Sequence, residues 1–135
     1  MINIREERKS EIMESLKSCI NLQEININDY FQNLRDKGRF LKESKIIQDL
    51  SKFFNALGNE NRLSILNILN ERDYCVCELE AILDKSQSSI SHHLKILEDV
   101  GLIEGVKKGY FTHYIIKKNK LEEYWSLFND TFFKK

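Results

Sequence analysis

The sequence predicts a mainly α-helical chain with one small β-hairpin, on three observations. Apolar residues recur at helical spacing between residues 49 and 99, with capping residues at the breaks. Between residues 102 and 116 the pattern changes to β-branched and aromatic residues around a Lys-Lys-Gly turn. Helical spacing then returns from about residue 119.

Residues 5–21 read as an amphipathic helix with Ile12, Met13, Leu16, Cys19 and Ile20 along one side. A second helix starts at Asn28 or Asp29 and carries Tyr30, Phe31 and Leu34. It either breaks at Gly38 or runs on through Phe40 and Ile46. Residues 49–57 put Leu50, Phe53, Phe54 and Leu57 on one stripe and end at Gly58, expected as a left-handed stop. Asn59 then caps residues 60–70, whose inward side carries Leu63 and Leu66, with Ile65 and Leu69 beside them. Residues 74–76 are short, apolar and extended, and lead into a helix with Leu79, Ile82 and Leu83. Asp84 and Lys85 form a turn. Ser86 caps a helix over residues 87–99, buried through Ile90, Leu94 and Leu97 and stopped at Gly101.

Residues 102–106 and 110–116 pair as strands across Lys107-Lys108-Gly109. The last helix, from about Asn119, aligns Leu121, Tyr124, Trp125, Phe128 and Phe132 on one face. That is more aromatic surface than a lone terminal helix covers, so it packs on a core, on a partner, or on both. Two short helices, a tight turn and a basic hairpin in succession make a winged helix-turn-helix, over residues 46–118, with an N-terminal helical extension over residues 1–45 and a final helix over 119–135.

A chain of 135 residues can bury one core without disulfide staples. No apolar run approaches the roughly 20 residues that span a bilayer, and residues 1–10 lack the apolar segment of a secretory signal. The expected compartment is the cytoplasm, where thiols stay reduced, with no membrane partner. Three cysteines, an odd number, point to a free thiol or a ligand set and away from a disulfide framework. No glycine-rich phosphate loop, paired-carboxylate motif or nucleophile–base pattern is present, so no enzymatic activity is expected.

Net charge is zero, but its distribution is uneven. Residues 46–84 hold three Lys or Arg against seven Asp or Glu, whereas residues 85–118 hold six against three. A local basic face is what phosphate contacts require. With Ile90, Leu94 and Leu97 buried, the helix over 87–99 leaves Gln87, Ser88, Ser91, His92 and Lys95 on its other side, with Ser89 beside them. Small hydroxyls and amides let a helix enter a major groove about 12 Å wide and meet base edges or phosphates of duplex DNA. Lys107, Lys108 and the neighbouring Tyr110 at the hairpin can reach phosphates beside it. His93 precedes Leu94 on the buried side and reads as a packed, hydrogen-bonded residue.

Cys75-Val76-Cys77 is the sharpest chemical feature. In mid-helix, residues i and i+2 point roughly 200° apart and cannot share one ion. Where an extended segment meets a helix start they can converge, and a helix N-terminus lowers thiol pKa. Soft thiolates select As(III), Sb(III), Cd(II), Pb(II), Cu(I) or Zn(II). A reversible disulfide of Cys75 or Cys77 with Cys19 is the redox alternative.

The run from Phe53 to Leu66, the run from Ser86 to Leu97 and the following hairpin resemble the ArsR/SmtB family of metal-sensing repressors. The similarity covers about residues 46–120. It implies a homodimer built through the first and last helices of that core, and operator binding by the helix over 87–99 and the hairpin. It also implies transcriptional derepression when an effector binds. In that family a Cys-Val-Cys followed by an acidic residue and leucine, here Glu78-Leu79, is the sensing motif. Arsenic-responsive members often carry a third cysteine one turn later, where this chain has Glu80. Members that sense cadmium or lead recruit cysteines from an N-terminal extension, which makes Cys19, Cys75 and Cys77 the expected ligand set. The alternative for Cys19 is a small apolar residue packed among Ile12, Leu16 and Ile20. The family's other site uses Asp, His and Glu on the last helix, and residues 118–135 contain no histidine. A winged-helix adaptor for another protein is a further alternative, opposed by the basic helix and hairpin.

Overall fold

The computed structural model describes residues 4–19 and 26–134, which divide into two compact units, Met1–Ser44 and Lys45–Lys135. The first unit is a pair of helices, α1 (Ile4–Cys19) and α2 (Ile27–Lys42). Asn26 starts α2 by accepting the backbone N–H groups of Asn28 at 2.9 Å and Asp29 at 3.3 Å. The helix passes Gly38, where a β-carbon would meet open space, and Phe40, and stops at Glu43. Ile46 therefore belongs to the next helix, so neither expected outcome describes this stretch in full. A single solvent-facing glycine costs a helix only about 1 kcal/mol, too little to break it here. Phe31 is buried, with Lys9 and Arg35 over its ring at 5.3 and 5.8 Å. Residues 20 and 21 of the expected first helix lie outside the described residues.

The second unit is a winged helix-turn-helix with flanking helices: α3 (Lys45–Leu57), α4 (Glu60–Leu69), β1 (Tyr74–Cys75), α5 (Val76–Leu83), α6 (Gln87–Asp99), β2 (Ile103–Lys108), β3 (Phe111–Ile116) and α7 (Lys118–Phe132). The sheet is antiparallel in the order β1-β3-β2, with Cys75 opposite His113 and Gly105 opposite Tyr114. Its core gathers Phe53, Ile65, Leu69, Leu79, Ile90, Leu94 and Leu97 from α3 to α6, and Leu102 from the connection that follows. Each such side chain contributes roughly 1.5–3 kcal/mol when removed from water.

The end of α6 follows the expected glycine stop. Leu102 N–H returns to Leu97 O at 3.0 Å and Gly101 N–H to Glu98 O at 2.9 Å, a Schellman closure that needs φ of 78° at Gly101. Gly58 does not behave this way, since its φ is not positive. Two carbonyls at the end of α3 are taken by Arg62, whose Nε donates to Ala56 O at 2.7 Å and Nη2 to Asn55 O at 3.1 Å.

That contact also rotates α4 away from the expected face. Arg62 is buried and Leu63 is 51% exposed, while Ile65, Leu66 and Leu69 reach the core. Ile82 and Phe54, also expected inward, are exposed at 49% and 39%. Phe54 covers part of its ring against Phe53 and Phe128, both with centroids 5.0 Å away.

The hairpin turn sits two residues later than expected. Lys107 and Lys108 lie within β2, and Gly109-Tyr110 make a two-residue turn between Lys108 and Phe111. Gly109 has φ of 66° and Tyr110 does not, the φ signs of a type II′ turn, which matches strand twist. On α7, Tyr124 stacks on Phe53 at 4.5 Å and donates to Val100 O at 3.1 Å, whereas Trp125 and Phe132 remain exposed. The aromatic face is thus divided between the core and solvent. No described helix is long and apolar enough to cross a membrane.

Candidate nucleic-acid interface and thiol site

Helix α6 starts where Ser86 Oγ accepts the backbone N–H of Ser89 at 3.2 Å. With Ile90, His93, Leu94 and Leu97 buried, Gln87, Ser88, Ser91, His92 and Lys95 are left exposed on one side, and Ser89 is half-buried. Lys95 pairs with Asp99 one turn on, at 3.2 Å. His93 is packed and hydrogen-bonded: Arg62 Nη1 donates to its Nδ1 at 3.1 Å. Burial, then the charges of Arg62, His92 and Lys85, push the His93 pKa down, so the ring is neutral with its proton on Nε2. One guanidinium thereby ties the end of α3 to the middle of α6.

On the hairpin, Lys107 is exposed and Tyr110, at the tip, is 99% exposed. Lys108 turns back and donates to Asp73 Oδ2 at 2.7 Å. The same oxygen lies 2.8 Å from His113 Nδ1. The Lys108 hydrogen bond is the chief reason the Asp73 carboxyl is held below the usual range.

The two cysteines converge. Cys75 is the N-cap of α5, with φ −89° and ψ 169°, and Cys77 lies in the first turn. Their sulfurs are 2.9 Å apart. Cys75 and Glu78 form a reciprocal capping box: the carboxylate accepts Cys75 N–H at 3.0 Å and the sulfur faces Glu78 N–H. Arg72 holds the other carboxylate oxygen at 3.2 Å. Cys75 is buried and Cys77 exposed.

The expected lowering of thiol pKa does not hold at Cys75. The hydrogen bond with Cys77 and then burial push that thiol up, against the smaller pull of the Glu78 N–H. The two sulfurs are joined by one hydrogen bond, in which either can be the donor. The sulfurs open into a cleft of about 380 Å³ shared with Glu80, Gln87, Tyr110 and Thr112, so one space touches α5, the start of α6 and the hairpin.

Cys19 ends α1 and is exposed, which does not match a packed apolar role. It belongs to the other unit. Among the described residues no group of three or more His, Cys, Asp or Glu side chains is gathered for a metal. Two sulfur donors in one cleft fit a soft ion in kind, and fall short of a full ligand set in number.

Residues 59–105 match the model of the "Bacterial regulatory protein, arsR family". The chain is 38% identical over 73 residues to the arsenical resistance operon repressor of Bacillus subtilis, spanning 53% of this chain and 70% of that protein. The chain belongs to the ArsR family. Its identity to the cadmium resistance transcriptional regulatory protein CadC of Listeria innocua is 40% over 73 residues, 53% of this chain and 61% of that one. The chain thus spans about six tenths of the length of that relative. Among solved structures, the ArsR-like transcriptional regulator from Rhodococcus sp. RHA1 superposes with a TM-score of 0.59 at 30% identity, covering 62% of this chain and 79% of the other. The ArsR match takes in α4, both cysteines and α6, and ends at Gly105. Lys107, Lys108, Tyr110 and the whole first unit lie beyond it.

Arg62 and Asp73 are the residues that sequence reasoning passed over. Neither has a periodic signal: Arg62 bonds carbonyls of the preceding helix and a histidine 31 residues away, and the partners of Asp73 lie 35 and 40 residues on.

Proposed function

We propose that this chain is a homodimeric, cytoplasmic transcriptional repressor whose hold on operator DNA is released by a soft metal ion or metalloid. The observation that carries the reading is the 2.9 Å approach of Cys75 and Cys77 in a cleft that also reaches Gln87 of α6 and Tyr110 of the hairpin. In this reading Gln87, Ser88, Ser89, Ser91, His92 and Lys95 face the major groove, and Lys107, Lys108 and Tyr110 meet the backbone beside it. The exposed aromatic residues Trp125 and Phe132 of α7 supply the dimer contact.

Cys75 and Cys77 supply two thiolates, and Cys19, from the same or the partner chain, supplies a third. Three sulfurs suit As(III), Sb(III) or Pb(II), and a further carboxylate or water suits Cd(II) or Zn(II). Relatives named for cadmium and arsenical resistance support this class of effector. Cys75 and Cys77 would hold a thiophilic ion as thiolates, each releasing its proton to solvent. Cys75 would then give up its capping contact with Glu78, and the first turn of α5 would shift. Effector and DNA then favour different conformations and oppose each other.

The test is a titration of reduced protein with As(III) and Cd(II), read by sulfur-to-metal ultraviolet absorption and by release of a duplex from the promoter upstream of its own gene. Tight complexes are expected, weakened at least about a hundredfold by Cys75→Ser or Cys77→Ser and about tenfold by Cys19→Ser. An unchanged affinity in Cys19→Ser removes that residue from the set. The sulfur approach also favours a second reading, oxidation of Cys75 and Cys77 to a disulfide by a peroxide, which is reduced to water. Release of DNA by peroxide without binding of either ion would select it.

A further inference from the structure

We propose that Asp73 is an internal competitor for the DNA phosphate that Lys108 would otherwise meet, and that its place beside β1 links that competition to the thiol site. This rests on the DNA-binding reading above and adds Asp73, which belongs to neither α6 nor the cysteine pair, to the hairpin's function.

Two adjacent lysines on β2 differ in one respect. Lys107 has no ion pair among the described residues, whereas Lys108 is held by Asp73 Oδ2 at 2.7 Å. The same carboxylate oxygen meets His113 Nδ1 on β3 at 2.8 Å. Asp73 therefore clasps both strands of the hairpin from the segment that leads into β1. It stands two residues before Cys75, and Cys75 is itself opposite His113 in the sheet. Any displacement of Cys75 changes the path of β1, and with it the reach of Asp73 toward Lys108.

The clasp is weak enough to compete. The side chains of Lys108 and Asp73 are 53% and 26% exposed, and partly solvated pairs of this kind shift an equilibrium only a few-fold. A duplex backbone, with its dense negative charge, can take the lysine away. Asp73 thus lowers affinity without abolishing it, by keeping one positive charge occupied in the free protein. It is a positioning residue that acts through Lys108.

The experiment compares the full chain with Asp73→Asn on random-sequence duplex DNA, because phosphate contacts do not depend on sequence. Asp73→Asn is expected to bind about two- to fivefold more tightly at low salt. The plot of log affinity against log salt should steepen by up to about 0.9, the share of one phosphate contact that Asp73 withholds. Adding Lys108→Gln should erase both changes. Equal or weaker binding by an Asp73→Asn protein that melts normally overturns the proposal.

A second comparison needs no change at Asp73. In the otherwise unaltered chain, Lys108→Gln should cost less affinity than Lys107→Gln, because Lys108 starts out engaged. An equal or larger cost at Lys108 also overturns the proposal. With Cd(II) added, the drop in DNA affinity should differ between Asp73→Asn and the wild type, and an identical drop overturns the link to the thiols. If the unaltered chain binds no duplex at low salt, the DNA-binding reading itself fails, an outcome distinct from all of these.

Discussion

Helices α5 and α6 start from nearly the same backbone geometry and with different atoms. Ser86 has φ −68° and ψ 158° and caps α6 with an oxygen, while Cys75 has φ −89° and ψ 169° and caps α5 with a sulfur. Both side chains stand at the same place, Ser86 accepting the N–H of Ser89 and the Cys75 sulfur facing the N–H of Glu78. Chemically they differ, because a hydroxyl ignores thiophilic ions and a thiol does not. A helix start can therefore be inert or responsive through one atom, and here the responsive one lies immediately before the helix that presents the exposed polar face.

The largest effect that would break this comparison is at the caps themselves. Ser86→Ala should lower unfolding stability by about 1 kcal/mol, measured by urea denaturation, because an N-cap oxygen is lost without replacement. Cys75→Ser should cost less than about 0.5 kcal/mol, since serine is the better cap, yet it should abolish the response to As(III) and Cd(II). Similar losses of stability in both variants would mean that the sulfur does more than cap.

A smaller effect lies in the turn between the helices. Asp84 adopts φ 51°, a left-handed conformation that a side chain disfavours. Asp84→Gly should stabilise the domain by about 0.5–1 kcal/mol, seen as a higher urea midpoint at unchanged slope. A loss would mean that the Asp84 side chain contributes a contact beyond its conformation.

The smallest effect is a pH dependence confined to α6. His93 has its folded pKa pushed down by burial and by Arg62. The unfolded chain therefore takes up a proton more readily, and stability falls as pH drops below about 6.5 and is fully present above it. Unfolding midpoints between about pH 7.5 and 5.5 should show this slope, and His93→Asn should flatten it. A slope unchanged in that variant would assign the dependence to another group.

Much of the second unit is legible locally. Ser86, Asn59 and Gly101 announce helix ends by side-chain chemistry that acts within a few residues, and the limits of α6 match its cap and stop. The switch to β-branched residues announces the hairpin, although two lysines suggested a turn that glycine and its positive φ place further on. Arg62 escaped because its partners are carbonyls at the end of a different helix and a histidine 31 residues away. A buried cation with distant partners leaves no period in the sequence, and its burial decided which side of α4 faces inward.

The cysteine pair was legible as chemistry and only partly as environment. Its spacing announced convergence at a helix start, which the 2.9 Å sulfur separation matches. The rise in the Cys75 pKa comes first from the hydrogen bond with Cys77 and then from burial, and the burial exists only in the assembled domain. The clasp of Asp73 on Lys108 and His113 likewise exists only once β1 pairs with β3.

Because β1 has two residues and its second, Cys75, is also the cap of α5, no loop separates sheet from helix. This junction cannot absorb a change in chain length. One residue inserted between Tyr74 and Val76 would either slip the pairing with β3 and turn Tyr74 to the opposite face, or rotate α5 by about 100° and carry Leu79 out of the core. An added residue should be better tolerated at the exposed hairpin tip, where a β-carbon on Gly109 would meet open space.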